Sequence, residues 1–223
     1  MPSLKKTLHF CSSALFCAGG VALLGYGMSV DWSSTSVDCK SSNSTGSGMV
    51  KIGLFEGVIV LKTCPFFDGG QPEVKVMEKL EGPPLILQYI VIALLVLSLI
   101  GSAASILITL YNSFSNPYET YMGPVGLYAC SGISVGTSFL ALIMYVSNVH
   151  LSNFSVEWIS QSNVVDLTNV KVDMQLGFFL VLPYIAVNLL AILLVFLYVH
   201  GAYTRQKEQQ KPTEDVPKEI MMY

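Results

Sequence analysis

The sequence has little charge, and none where a membrane pump or an intramembrane enzyme would need it. Asp, Glu, Lys and Arg make up only 12% of the 223 residues, and none of them lies in four long apolar stretches. A protein that carries protons or ions through the bilayer usually keeps an ionisable group there despite the cost of burying it. The missing charges therefore argue against a pump, a proton relay and catalysis within the membrane.

Motifs of several other protein classes are absent as well. The sequence contains no glycine-rich phosphate loop, no His-Glu zinc motif and no nucleophile elbow. Its formal charge of -3 indicates no basic surface for nucleic acid. The stretch 147–175 has no cysteine, whereas the second outer domain of a tetraspanin depends on several. We therefore expect no enzyme activity, no cofactor, no metal site and no nucleic-acid partner.

The sequence instead has four apolar stretches, each at least as long as the roughly 20 residues that a helix needs to cross a hydrocarbon core of about 30 Å. Hydrophobic residues make up 52% of the chain, as expected where the lipid bilayer is the solvent. The sequence therefore predicts an all-α, multi-pass membrane protein with a bundle of four transmembrane helices. The predicted spans are 8–30, 85–110, 125–146 and 176–200.

Basic residues and glycosylation sequons predict the orientation of these spans. The 12 Lys and Arg residues are shared equally between the two sides, but those on the side of the chain ends lie in shorter segments, which favours cytoplasmic termini. Sequons begin at Asn43 and Asn153, in two loops that share a side in any four-span chain. We therefore expect a glycosylated plasma-membrane protein with both termini in the cytoplasm. The predicted cytoplasmic segments are 1–7, 111–124 and 201–223, the last a disordered tail, and the predicted outer segments are 31–84 and 147–175.

Two cysteines, Cys39 and Cys64, lie outside the predicted spans, and both fall in the first outer segment. Because that side of the membrane is oxidising, we expect a disulfide between them. It would close a loop of about 25 residues and stabilise the segment by roughly 3 kcal/mol on the chain-entropy model. A zinc site is the weaker alternative, since the segment has no histidine.

The centre of the same segment predicts a small extracellular β-sheet. Residues 49–55 and 58–61 are two short runs rich in β-branched and aromatic side chains, separated by a Glu-Gly pair. The Ser, Gly and Asn residues of 41–48 are typical of a turn, and 68–72 contain the Gly and Pro that end a sheet. We therefore expect a small antiparallel sheet within the first outer segment.

Trp32, Gly53, Leu54 and Phe55, together with the two loop cysteines, resemble the signature of the claudin and peripheral-myelin-protein superfamily. That signature is a Trp after the first span, a Gly-Leu-Trp triplet and paired cysteines in the first loop. The match differs in two places, because Phe55 replaces the Trp of the triplet and Cys39 precedes the triplet. The resemblance implies a claudin-like four-helix fold with an extracellular sheet, whereas a paracellular seal or pore is not carried over.

A second set of residues resembles the loop between the second and third spans of the clarins. The set consists of Asn116, Pro117 and Glu119, followed by Gly123 and Pro124, and the resemblance extends over the whole chain. Membership of the clarin family implies a protein of sensory hair cells that supports mechanotransduction, synapses or actin-linked membrane organisation. The resemblance thus implies a role in hearing through contacts with membrane or scaffold proteins.

The predicted function is therefore that of a non-enzymatic organiser or accessory subunit. The alternatives are a pore-forming or regulatory channel subunit and a lipid- or sterol-binding regulator of the membrane. The channel alternative needs an oligomer with a polar lining, for which the spans offer hydroxyl groups. The candidate lining residues are Ser98, Ser102, Thr109, Ser134 and Ser138.

Small residues four apart form shallow faces on the second and third predicted spans. Such faces either pack the bundle or drive self-association into a homo-oligomer. Asn188 likewise has two alternatives, a hydrogen bond across helices or a bond to the carbonyl that Pro183 leaves without a donor. The pairs of small residues are Ser98 with Ser102, Gly101 with Ser105, and Gly132 with Gly136.

Met221 and Tyr223 occupy the third-last and last positions of the sequence. Apolar residues at these positions suit the groove of a PDZ-type domain, where the peptide adds a strand and backbone amides hold its carboxylate. An inert tail is the alternative, because three residues are a short motif.

Overall fold

The structure is a computed structural model that describes residues 4–41, 44–62, 73–114, 123–151 and 166–209. Within these ranges the chain forms five helices and five strands. In chain order they are α1 (Leu4–Ser29), β1 (Ser33–Ser41), β2 (Ser44–Ile52), β3 (Glu56–Lys62), β4 (Glu73–Lys75), α2 (Val76–Lys79), α3 (Pro83–Phe114), α4 (Gly123–Leu151), β5 (Asp166–Met174) and α5 (Leu176–Gln209).

Four of the helices are long and apolar enough to cross a membrane, which confirms the predicted four-span bundle. Their apolar segments are Thr7–Ser29, Pro83–Phe114, Gly123–His150 and Leu176–Arg205. The outer surface of the bundle carries large apolar side chains, such as Leu107, Phe139 and Phe196, which are more than half exposed. The interior holds apolar side chains together with buried serine, asparagine and tyrosine. This distribution fits a protein whose surroundings are hydrocarbon, because lipid solvates apolar side chains and leaves polar groups to pair inside.

The strands form one antiparallel sheet in the order β4-β3-β2-β1-β5. The small antiparallel sheet is confirmed, but its confinement to the first outer segment is wrong, because β5 comes from the second. β5 pairs with β1, with Ser33 opposite Met174. Its residues 170–174 alternate between apolar and polar side chains, the pattern of a half-buried strand, and this signal was missed. The pairing places both outer segments at the same end of the bundle.

Two details of the predicted sheet differ from the structure. The supposed turn at 41–48 is mostly strand, since β1 and β2 remain paired as far as Ser41 opposite Ser44. The sheet does not end at 68–72 either, because β4 follows at Glu73 and pairs with β3. Main-chain hydrogen bonding along the ladder outweighs the weak strand preference of the Ser and Gly side chains.

The last helix is longer than predicted. Disorder was expected from Gly201, but α5 continues to Gln209. The sequence after Gly201 contains Ala202, Arg205 and other good helix formers, and the Thr204 hydroxyl donates to the carbonyl of His200 at 3.0 Å. The end of α5 thus extends about two and a half turns beyond the predicted span.

Buried apolar side chains gather in two clusters. The larger one lies where the underside of the sheet meets the helices, and it includes Trp32, Ile52, Leu54 and Tyr145. The smaller one lies towards the opposite end of the bundle, around Phe10 and its neighbours on α4 and α5. The sheet is therefore packed onto the bundle by a shared core, and we call this region the sheet–bundle junction.

Candidate functional site

Trp32 is the centre of the sheet–bundle junction. It connects α1 to β1 and is fully buried. Its backbone N–H donates to the carbonyl of Ile52 at 2.9 Å, and its carbonyl accepts from the N–H of Gln175 at 2.9 Å. Its indole Nε1 donates to the carbonyl of Gly27 at 2.7 Å. One residue therefore joins α1, β2 and the start of α5, and its indole N–H has the partner that a buried tryptophan requires.

Two further aromatic residues surround the Trp32 ring. The centroid of the Tyr145 ring lies 4.9 Å away with the planes at 68°, an edge-to-face contact. Phe178 of α5 lies 6.3 Å from Trp32 and 6.3 Å from Tyr145. The Tyr145 hydroxyl donates to Ser33 Oγ at 3.0 Å, so α4 is bonded directly to the first residue of β1. Edge-to-face pairs of this kind add about 0.5 to 1.5 kcal/mol beyond the area they bury.

Glycines allow α1 and α5 to approach one another beneath Trp32. A Cβ atom placed on Gly177 would collide with the Trp32 ring and would lie 2.8 Å from the carbonyl oxygen of Gly27. A Cβ on Gly27 would lie 3.3 Å from that of Leu180. The N–H of Gly177 also donates to the carbonyl of Asp31 at 2.9 Å. Sequence reasoning did not single out either glycine, although Gly177 stands at the start of the last apolar stretch.

The Gly53-Leu54-Phe55 triplet forms the link between β2 and β3. Gly53 donates its N–H to the carbonyl of Glu56 at 2.8 Å, and Leu54 is fully buried. Phe55 is 45% exposed, and its backbone carbonyl accepts a hydrogen bond from the N–H of Val76 at 2.8 Å. The structure therefore brings Trp32, Gly53 and Leu54 together at the junction, whereas the Phe55 side chain lies outside it.

Two buried amides fasten the helices at the junction, and sequence reasoning missed both. Gln88 of α3 donates its Nε2 to the carbonyl of Leu54 at 2.9 Å. Asn148 of α4 donates its Nδ2 to the carbonyl of Pro84 at 3.2 Å. Both side chains are completely buried. A polar amide near the end of an apolar stretch was the available signal, because such a group needs a partner inside the protein.

Hydroxyl groups inside the bundle form a second arrangement, which we call the hydroxyl seam and define as Ser98, Ser102, Ser105, Ser131, Ser134, Thr137, Tyr184 and Asn188. Ser98 and Ser134 bond reciprocally, because each Oγ lies 3.0 to 3.1 Å from the carbonyl oxygen of the other. Ser98 Oγ is also 2.6 Å from Thr137 Oγ1. Further along the helices, Ser105 Oγ is 2.9 Å from Ser131 Oγ. The seam therefore holds α3 against α4 along successive turns.

Tyr184 and Asn188 join α5 to the same seam. The Tyr184 hydroxyl donates to the carbonyl of Ser98 at 3.0 Å and lies 2.7 Å from Ser102 Oγ. Ser102 Oγ donates to Asn188 Oδ1 at 3.2 Å, and Asn188 Nδ2 donates to the carbonyl of Tyr184 at 3.0 Å. Of the two alternatives for Asn188, the structure shows the bond across helices and not a bond to the carbonyl freed by Pro183.

The candidate channel-lining residues are buried in the described part of the bundle. Ser98, Ser102 and Ser134 belong to the hydroxyl seam. Thr109 and Ser138 donate their hydroxyls to carbonyls of their own helices, at residues 105 and 134. A water path along these side chains within one protomer would have to replace these hydrogen bonds. The hydrogen bonds of Ser98, Ser102 and Ser134 are polar contacts between helices, which in membranes contribute about 0.6 kcal/mol each on average.

The pairs of small residues are placed differently from one another. A Cβ on Gly101 would collide with the Ser134 side chain and lie 3.1 Å from the carbonyl oxygen of Cys130, so this glycine packs α3 against α4. Gly132 and Gly136 have no atom within 4 Å of an added Cβ, and both are exposed. The face of α3 at Gly101 therefore packs inside the bundle, whereas the face of α4 with Gly132 and Gly136 is exposed on its outside.

Several predicted site residues lie outside the described residues, so their roles stay predictions. Cys39 lies on β1 opposite Gly46 and Leu167, whereas Cys64, its predicted disulfide partner, is outside. Gly123 and Pro124 begin α4, where Gly123 adopts a φ of 45° and proline suits the first turn. The residues outside are Asn43, Cys64, Asn116, Pro117, Glu119, Asn153, Met221 and Tyr223.

The described residues contain no group of three His, Cys, Asp or Glu side chains that could hold a metal ion. Cys11, Cys17 and Cys130 are free thiols within the membrane-spanning helices. The chemistry of the described part is therefore that of hydrogen bonding and packing, concentrated at the sheet–bundle junction and in the hydroxyl seam.

Tyr184→Phe is expected to lower the free energy of unfolding by about 1 kcal/mol, because it removes a hydroxyl that contacts both Ser98 and Ser102. Ser102→Ala combined with Tyr184→Phe should cost less than the sum of the two single changes. Unfolding of the purified protein in bicelles measures these values as a double-mutant cycle. Tyr203→Phe is the control, since Tyr203 is 64% exposed. Strict additivity would contradict a direct bond between Ser102 and Tyr184.

A four-helix membrane bundle whose small antiparallel sheet is held by a buried tryptophan defines a claudin-like four-span membrane protein. Comparison with known proteins narrows this class. The chain is 31% identical to Clarin-3 of Mus musculus over 227 residues and 30% identical to Clarin-3 of Homo sapiens over 227 residues, with the whole of each chain covered. It is 32% identical to Clarin-1 of Homo sapiens over 177 residues, which cover 70% of this chain and 71% of the relative.

The protein therefore belongs to the clarin family, as the residues around Gly123 and Pro124 predicted. The matches that extend over the whole chain are to Clarin-3 proteins, and those to Clarin-1 cover a shorter part. No family model matches the sequence.

Proposed function

We propose that the protein is a non-enzymatic organiser or accessory subunit of the membrane that acts through protein contacts. One observation carries the proposal: the side chains of the hydroxyl seam form hydrogen bonds between helices, while the sheet is packed onto the bundle at the junction. The described part is therefore held together by its own contacts, and the surfaces proposed for partners are the outer face of the sheet, the exposed face of α4 and the segments beyond the helices.

The outer face of the sheet has the composition of a contact surface. Met49 exposes 37% of its surface on this face, where the exposed Lys171 also lies opposite Ser36, and Phe55 exposes 45% at the link between β2 and β3. Lys51 and Asp31 form an exposed ion pair of 3.8 Å nearby. Scattered apolar groups within a polar surface are typical of non-obligate protein interfaces. By family membership, the proposed setting is the membrane machinery of sensory hair cells, and the proposed process is hearing.

Photo-crosslinking from the sheet tests the organiser proposal. A photoreactive residue at Met49 or Lys171, which both lie opposite Ser36 on the outer face, should yield discrete crosslinked proteins in hair-cell membranes. The same residue at Phe139, which is 57% exposed on α4 within the span, is the control for contacts made through lipid. Identical crosslinked species from all three positions, or none from the sheet, would contradict a partner on the outer face.

Electrical recording separates the organiser from the channel alternative. The purified protein in planar bilayers is expected to show no conductance, because the hydroxyl seam is closed by its own hydrogen bonds. A reproducible conductance that disappears on Ser98→Leu substitution would instead support the channel subunit. The third alternative, a lipid or sterol regulator, predicts that sterol shifts the thermal unfolding of the protein.

We also propose that the sheet faces the outside of the plasma membrane and that both termini are cytoplasmic. The pairing of β1 with β5 supports a shared side for the two segments that contain Asn43 and Asn153. Enzymatic deglycosylation should shift the wild-type protein on a gel, and Asn43→Gln or Asn153→Gln should remove one step of that shift. If the Tyr223 end of the protein could be labelled in intact, unpermeabilised cells, that result would contradict this orientation.

Self-association through α4 is part of the proposal. Gly132→Ile and Gly136→Ile are expected to reduce crosslinked dimers in membranes at least tenfold. Both substitutions should leave the free energy of unfolding of the monomer nearly unchanged, since an added Cβ meets no atom within 4 Å. Gly19→Ile on α1 is the matched control, because Gly19 is equally free of neighbours. Unchanged dimers in the Gly132 and Gly136 variants would rule out this face.

The C-terminal residues supply the last proposed contact. A peptide ending in Met221-Met222-Tyr223 should bind PDZ-type domains of scaffold proteins, and the same peptide with an amidated end should not, because the groove holds the free carboxylate. Equal binding of the two peptides would indicate a different mode of recognition.

A further inference from the structure

The fold brings the beginning of α1 beside the end of α5, at the end of the bundle opposite the sheet. The ring centroids of His9 and Tyr198 lie 5.6 Å apart, and those of Phe10 and Tyr198 lie 5.8 Å apart. One turn further in, Ser13 Oγ donates to the carbonyl of Ala191 at 3.1 Å. The two helices are thus antiparallel neighbours, so earlier residues of α1 lie level with later residues of α5.

Basic residues that are far apart in the sequence lie at this same end of the bundle. Lys5 and Lys6 precede His9 by about one turn, and Arg205 and Lys207 follow Tyr198 by roughly two turns. Along the helix axes, Lys5 and Lys6 lie about 5 Å beyond His9, and Arg205 and Lys207 lie about 10 to 14 Å beyond Tyr198. Both displacements point away from the centre of the bundle. Among the described residues at this end, Glu208 is the acidic one. Four positive charges and one negative charge leave a net charge of about +3.

The same end lies at the level of lipid headgroups. Helix α5 has 34 residues, or about 51 Å, which exceeds a hydrocarbon core of about 30 Å. Its apolar segment ends at Arg205. Tyr203, Tyr111 and Phe114 are 64%, 54% and 73% exposed around this end, as is typical of aromatic residues at a membrane interface. The last turns of α5 therefore cross the headgroup region as helix, with Arg205 and Lys207 exposed there.

We propose that Lys5, Lys6, Arg205 and Lys207 together bind the headgroups of anionic phospholipids in the leaflet at this end. Arg205 can hold a phosphate through two parallel N–H bonds, and the lysines add positive charge at the same level of the bilayer. Each basic residue near an anionic leaflet strengthens binding about fivefold. Among the described residues, neither helix end alone has the four basic residues of a typical lipid-binding cluster, so the proposed site needs α1 and α5 to be neighbours.

The test is a lipid titration of the full-length protein in detergent, followed by native mass spectrometry. Phosphatidylserine should bind the wild-type protein at least tenfold more tightly than phosphatidylcholine. Arg205→Gln with Lys207→Gln, and separately Lys5→Gln with Lys6→Gln, should each weaken phosphatidylserine binding about tenfold or more and leave phosphatidylcholine unchanged. Lys75→Gln with Lys171→Gln on the sheet removes the same charge from the other end and should change neither affinity.

Three results would overturn the proposal. Equal loss in the sheet variant would show that phosphatidylserine responds only to net charge. Loss in the α5 variant but not in the α1 variant would show that the two helices do not form a joint site. Soluble glycerophosphoserine at millimolar concentration should not displace the lipid, and displacement would indicate a site for a free phosphate ester instead. Helical circular dichroism of each variant should match the wild type, since the altered positions lie beyond the packed part of the bundle.

Discussion

Trp32→Ala is expected to lower the free energy of unfolding by about 3 to 5 kcal/mol, the cost of truncating a large side chain that is completely buried. The substitution removes the indole bond to Gly27, the edge-to-face contact with Tyr145 and the contact with Phe178. The helices keep the hydroxyl seam, so the sheet should loosen first. Hydrogen exchange of the purified protein in bicelles should therefore speed up in β1 and β2 more than in α3 and α4.

Two control substitutions test whether burial and the indole N–H of Trp32 account for its effect on stability. Phe55→Ala should cost less than 1 kcal/mol, because Phe55 is 45% exposed although it belongs to the same family signature. Trp32→Phe keeps an aromatic ring but loses the Nε1 donor, and it should cost about 1 to 3 kcal/mol since the Gly27 carbonyl then lacks its partner. If Trp32→Ala increased hydrogen exchange equally in the sheet and in the helices, the result would contradict the proposal that Trp32 holds the sheet on the bundle.

Gly177→Val is expected to destabilise the protein by roughly 3 kcal/mol, at the upper end of the usual cost of overpacking. The new Cβ would collide with the Trp32 ring and lie 2.8 Å from the backbone oxygen of Gly27, so relief requires α1 and α5 to move apart. Thermal unfolding in bicelles measures the effect. The matched control is Gly201→Val in the same helix, where no atom lies within 4 Å of an added Cβ.

A smaller substitution keeps this prediction testable where the valine variant does not fold. Gly177→Ala adds one methyl group and should still cost at least 1 kcal/mol, because the contact is made by Cβ itself. Gly27→Ala should cost less, since its Cβ would lie 3.3 Å from Leu180 Cβ, a side-chain atom that can shift slightly. A Gly177→Ala protein as stable as the Gly201→Ala protein would show that α1 and α5 are not in close contact there.

Local sequence patterns predicted the parts of the fold that depend on local composition. The four apolar stretches predicted four spans, because a helix in hydrocarbon must satisfy its own backbone and expose apolar side chains. The β-branched runs at 49–55 and 58–61 predicted the strands that the structure has as β2 and β3. The end of α5 was missed, since a polar segment with good helix formers can be helical once a preceding helix nucleates it.

The candidate site was predictable only in part. Trp32 and the Gly53-Leu54-Phe55 triplet stood out through their resemblance to a family signature, yet that resemblance did not distinguish the buried Leu54 from the exposed Phe55. Gly177 and Gln88 were not recognised. Their importance comes from atoms that approach them from distant segments, such as the Trp32 ring and the Leu54 carbonyl, and no local pattern records such contacts.

The sequence by itself determined that the chain crosses a membrane four times, that its first outer segment contains paired strands and that it resembles the clarins. These properties follow from hydropathy, side-chain shape and local motifs. Tertiary structure alone decided that β5 joins β1, that Gly177 admits the Trp32 ring and that the ends of α1 and α5 are neighbours. The physical reason is that these contacts join residues far apart in the chain, so they depend on the packing of the whole bundle.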